Sequence, residues 1–126
     1  MYFKIDLSIC SAGLSHQKSN FSSIIRYCYH NNLKLIKPIF TLTGKHNNNK
    51  ILKTDLSKYY DLDRITINDK QFKLYNYDIN NDKYTIKHKA TNGLVRLDPK
   101  FSNLSGNVNI PYKKDIIDIA KIYLQN

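Results

Sequence analysis

The chain has 126 residues, with 20 Lys plus Arg against 10 acidic residues and a formal net charge of +10 with His neutral. That length suits one domain with one modest core, and 41% hydrophobic with 24% charged residues is a globular composition, not a disordered one. No run of about 18 apolar residues occurs, which excludes a helix that spans a membrane.

A positive field favours anionic partners such as nucleic acid or phosphates. Its carriers are Lys except for Arg26, Arg64 and Arg96; every acid is Asp, and Glu and Trp are absent. Abundant Asn, Ile and Lys fit an AT-rich coding bias, which raises Lys without functional pressure. Lys4 and Asp6 interrupt what would be the apolar region of a signal peptide, so a secretory signal is not expected there. Cys10 and Cys28 form neither a disulfide framework nor a metal quartet, and read as small buried residues. His16, His30, His46 and His88 lack zinc-ligand spacing, so no metal site is expected.

Residues 2 to 9 alternate, with Phe3, Ile5, Leu7 and Ile9 on one face and Tyr2, Lys4, Asp6 and Ser8 on the other. That period of two predicts a half-buried strand. A small, polar loop follows. Phe21, Ile24, Ile25 and Cys28 then recur at helical spacing and predict an amphipathic helix from about 17 to 31. "LKLIKPIF", residues 33–40, reads as a second strand with Pro38 at its end or edge. Strand, helix, strand is a βαβ unit with parallel strands. The loop after the first strand therefore sits where open α/β sheets bind ligands.

"TGKHNNNK" reads as a polar loop. "TDLSKYYDLDRI" reads as a short helical or turn segment that partly buries Leu56, Tyr59, Tyr60 and Leu62. A Tyr-rich strand region follows in "ITI", "FKLYNY", "KYTIKH" and "GLVRL", with "NNDK" as a hairpin turn. "DPKFSNLSGN" is an irregular loop. Pro111 suits a helix start, and Ile116, Ile117, Ala120, Tyr123 and Leu124 form the stripe expected to be buried. No stop signal or strand follows that helix, which predicts an incomplete copy of a larger architecture.

Several stretches together resemble the GDP-fucose protein O-fucosyltransferase family. Ala12-Gly13-Leu14-Ser15-His16-Gln17 is similar to its first loop, with His16 where the family has Asn. "YHNNLKLIKPIF" resembles its turn and second strand, "DLSKYYDLDRI" its following segment, and "NIPYKKDIIDIAKIYL" the helix before its donor-binding motif. The resemblance implies one α/β domain over residues 1–126, a partial, Rossmann-like amino-terminal lobe of a glycosyltransferase B fold that stops before the donor-binding lobe. It implies no cofactor beyond a nucleotide-sugar donor, GDP-fucose, and a protein or glycan acceptor. Alone, the chain is expected to be inactive, and no catalytic residue is assigned.

By that resemblance the nucleotide-binding residues are Gly13, Leu14, Ser15, His16 and Gln17. Gly13 would let the backbone approach a ligand. Unpaired N–H groups at the helix start suit a diphosphate, and Ser15, His16 and Gln17 add donors. A plainer reading stays open: a βα turn in which Ser15 caps the helix and Gln17 bonds its own helix start. The alternative function is a small basic module that binds nucleic acid or another anion without catalysis.

Overall fold

β1, Tyr2–Asp6, is the first part of the strand the alternation predicts, with Phe3 and Ile5 buried and Lys4 and Asp6 exposed. The strand ends before residue 9, and Ile9, expected on the buried face, lies in the turn that follows and is exposed. The computed structural model describes residues 1–43, 51–90 and 98–125, which form a mixed α/β arrangement of small sheets and two helices. β1 turns sharply after Leu7, where the Cys10 N–H donates to the Leu7 carbonyl at 2.9 Å. It resumes as β2, Ser11–Ala12. Helix α1, Leu14–His30, follows at once and ends at Asn31.

β3, Lys34–Leu35, lies parallel to β1 with Phe3 opposite Leu35. The expected βαβ unit is therefore present. The predicted second strand is not continuous. Proline has no N–H for a ladder, and the chain breaks around Pro38 into β3 and β4, Phe40–Thr43. β4 pairs with β2 in parallel and with β5, Ile51–Thr54, antiparallel.

One face of the β1 sheet is the core face. Phe21, Ile24, Ile25 and Cys28 of α1 pack there with Phe3, Ile5, Leu7 and Leu35, and Phe101 closes one end. Burying each such side chain contributes about 1.5–3 kcal/mol. Both cysteines are buried, as expected. Leu56, Tyr60 and Leu62 join the same core, and Tyr59 packs on it half-buried.

β6, Thr66–Ile67, and β7, Lys70–Gln71, form a hairpin, with β9, Val108–Asn109, on the outer edge of β6. Its two loop residues, Asn68 and Asp69, have φ of 51° and 64°. Two consecutive left-handed residues suit the strand twist, and Asn and Asp tolerate that conformation.

"NNDK" is not a hairpin turn. Tyr75 bridges Ile36 in parallel at the outer edge of β3. β8, Thr85–Lys89, lies parallel to β1 on its other side. Residues 76–84 therefore cross the sheet instead of reversing beside it. Asp78 accepts the Asn80 N–H at 2.9 Å and starts a 3-10 turn over Ile79–Tyr84, which displaces the expected reversal. Of "FKLYNY", only Tyr75 pairs with the sheet. "GLVRL" and "GKHNNNK" with His46 lie outside the described residues.

The last helix, α2, spans Lys114–Gln125, three residues after Pro111. Its predicted stripe is not buried: Ile117 is 40% exposed, Ala120 is exposed and Ile116 is half-buried. Ahead of the helix the segment is tied down where Tyr112 bridges Tyr60 and the Lys113 N–H donates to the Tyr59 carbonyl. The side chains of Tyr123 and Leu124 lie outside the described residues. Among the described residues no helix is long and apolar enough to cross a membrane.

Candidate anion-binding trough

The face of the β1 sheet opposite α1 carries the charge. Alternation places Lys4 and Asp6 there, and the parallel register sets Lys87 beside Lys4 and Lys89 beside Asp6. His88, between those lysines, turns its ring to the core side, where it stacks on Phe3 and its Nε2 lies 2.8 Å from Asp98.

Two ammonium groups on neighbouring strands repel each other. Residues 76–84 offset this. The Lys4 Nζ lies 4.1 Å from the Tyr77 ring centroid, a cation–π distance. The Lys87 Nζ lies 2.8 Å from Asp82 Oδ1, and the Tyr77 hydroxyl donates to the same carboxylate. The Lys87 ammonium, and then the Tyr77 hydroxyl, hold the Asp82 carboxyl below the usual range.

Above this crossing segment the sheet face stays open, as a cavity of about 790 Å³. Its floor is β1 from Lys4 to Asp6 with the following Leu7 and Ser8. One wall is Ile36, Lys37, Ile39, Thr41 and Lys53; the other is Lys87 and Lys89; Asn76 and Tyr77 close the end. Five lysines thus border it against one lining carboxylate, Asp6. The size is in the range of small-molecule sites, and the position is the carboxyl end of the central strand, where open sheets bind ligands.

Asp6 accepts the Ser8 N–H at 2.9 Å. Its carboxyl is held below the usual range by that backbone bond first, then by the Ser8 hydroxyl, Lys89 and Lys53. Just outside the cavity, burial pushes the Asp55 carboxyl up, but Ser57 and then Lys37 outweigh it and the net direction is down. Each lysine near these carboxylates thus helps to hold a negative charge.

None of the five residues expected to bind nucleotide lines this cavity. Gly13 is the helix N-cap with φ −69° and ψ 171°, extended backbone that any residue adopts. No atom comes within 4 Å of where its Cβ would lie, so neither close approach nor strain calls for glycine there. Leu14 is half-buried against the core; Ser15 and His16 are exposed. Ser15 is not the cap, because the helix already begins at Leu14.

Gln17 is fully buried. Its Nε2 donates to the Cys10 carbonyl at 2.9 Å and to the Thr41 carbonyl at 2.8 Å, and its Oε1 accepts from Asn20 at 2.9 Å. One amide hydrogen binds the residue just before β2 and the other binds β4, not the helix start.

The trough went unseen in the sequence because it needs the pairing of β8 with β1. Its one local signal is the alternation of Lys87, His88 and Lys89 in "TIKHKA". Among the described residues no group of three or more His, Cys or Asp is placed to hold a metal ion. Comparison of the chain with protein-family models, with curated proteins and with solved structures returned no match.

Proposed function

We propose that this chain binds a phosphate-bearing small molecule in the trough on the open face of the β1 sheet. The observation that carries the reading is the convergence of Lys37, Lys53 and Lys89 on a cavity of about 790 Å³ at the end of β1. Lys4 and Lys87 have internal partners in Tyr77 and Asp82, so these three supply most of the attraction. The chemistry is binding of an anion without a catalytic group.

A second, more specific reading makes the chain the Rossmann-like lobe of an O-fucosyltransferase-like enzyme with a glycosyltransferase B fold. The β1–α1–β3 unit supports it. In that case the sugar-nucleotide diphosphate is the phosphate that the trough holds, and a protein or glycan hydroxyl is the acceptor.

Calorimetry on the whole chain separates these readings. Pyrophosphate, GDP and GDP-fucose are titrated beside a single-stranded oligonucleotide. Binding of pyrophosphate and GDP alike supports the first reading. A clear preference for GDP-fucose over GDP supports the second. Steeply salt-dependent oligonucleotide binding with no small-anion response overturns both and supports a nucleic-acid module.

A further inference from the structure

Asp6 does not fit a trough built for a bare anion. It lies on the floor, faces the same space as Lys53 and Lys89, and would repel any phosphate that approached it. A carboxylate offers about four acceptor positions, and Ser8 uses only part of them through its N–H and hydroxyl. What remains is an acceptor held near two cationic side chains, Lys53 and Lys89. The cavity is also far larger than a phosphate group alone requires.

We infer that Asp6 is a specificity residue that accepts hydrogen bonds from hydroxyl groups of the ligand, so that the trough selects a polyhydroxylated phosphate ester over a simple anion. The inference rests on the trough being the anion site. The phosphate lies toward Lys37, Lys53 and Lys89. The hydroxyl-bearing body lies over Asp6, with Ile36 and Ile39 beside its carbon framework. Selectivity arises from both signs: Asp6 weakens every phosphate by repulsion, and only a ligand with a hydroxyl in reach recovers the loss.

The test uses the full chain and its Asp6→Asn variant, with inorganic phosphate, phenyl phosphate and ribose 5-phosphate as probes. Asn keeps an oxygen for the Ser8 N–H and replaces a carboxylate oxygen with a donor, so the local turn is retained; unchanged thermal melting checks this. The wild-type chain is expected to bind ribose 5-phosphate about tenfold more tightly than phenyl phosphate, as one hydrogen bond to a charged group allows. Asp6→Asn is expected to abolish that preference and to tighten inorganic phosphate about threefold, the effect of removing one exposed like charge. A preference unchanged in Asp6→Asn, or weaker binding of all three probes, overturns the role of Asp6 while the trough stands. Failure of all three probes to bind the wild-type chain overturns the trough itself.

Discussion

The Gln17 side chain donates to the Thr41 carbonyl at 2.8 Å, and this bond ties the first turn of α1 to β4 across the core. With the second donation to Cys10 it links β4 to the turn that leads into β2. Satisfied buried amides of this kind fix a unique arrangement, and removing one takes a buried hydrogen bond from several groups at once.

Gln17→Ala is therefore expected to destabilise the chain by about 2–4 kcal/mol, because two carbonyls and Asn20 lose a buried partner. Urea unfolding at neutral pH measures it. Ser15→Ala and His16→Ala, at exposed positions two and one residues before it, are expected to change stability by less than about 0.5 kcal/mol.

Two glycines should respond to very different degrees. Gly13→Ala, in extended backbone with open space at the Cβ, is expected to shift stability by less than about 1 kcal/mol, the lost N-cap preference being offset by reduced freedom of the unfolded chain. Gly106 has φ of +138°, and a Cβ there would lie 3.1 Å from Ile67 Cδ1. Gly106→Ala is expected to cost about 1–3 kcal/mol. Parallel thermal melts of the two variants make the comparison.

Burial pushes the Cys28 thiol from 9.0 up to about 12, and burial, then Tyr112, pushes the Tyr60 hydroxyl from 10.0 up to about 12. Both folded values are raised, so the neutral forms are favoured in the folded state. Their contribution is complete below the unfolded values and fades as pH rises from about 9 toward 12. Stability is therefore expected to fall between pH 9 and 12, and less steeply in Cys28→Ala once its lower baseline is subtracted. Urea midpoints across that window test it. A thiol reagent at neutral pH is expected to label Cys28 only after denaturant is added, because thiolate is the reactive form.

The core elements were legible in the sequence because their periodicity is local. Phe3 and Ile5 announce β1, and Phe21, Ile24, Ile25 and Cys28 announce α1, and all six are buried. The same alternation runs on through Leu7, buried just past the strand, to Ile9, which is exposed because the chain turns after Leu7. What pairing at a distance decides was not legible. The path from Tyr75 to Thr85 reads as a hairpin from its Asn and Asp residues, yet Tyr75 pairs beside β3 and Thr85 beside β1. The Ile116, Ile117 and Ala120 stripe has helical spacing whether or not anything covers it, and here Ile117 and Ala120 are exposed and Ile116 is half-buried.

The same holds for the site. The polar turn at residues 13–17 stands out in the chain, but its most telling side chain, Gln17, is spent on the fold. The lysines of the trough come from β1, β5, β8 and the segment between β3 and β4, so no single stretch of sequence displays them together.

The central claim is that the trough, and not the start of α1, holds the anion. Backbone amide shifts recorded by NMR during a pyrophosphate titration of the whole chain test it most directly. The predicted result is saturable shifts at Lys4 to Ser8, Lys37, Lys53 and Lys87 to Lys89, lost in the Lys53→Ala, Lys89→Ala double variant. Shifts centred on Leu14, Ser15 and His16 that persist in that variant would contradict the account.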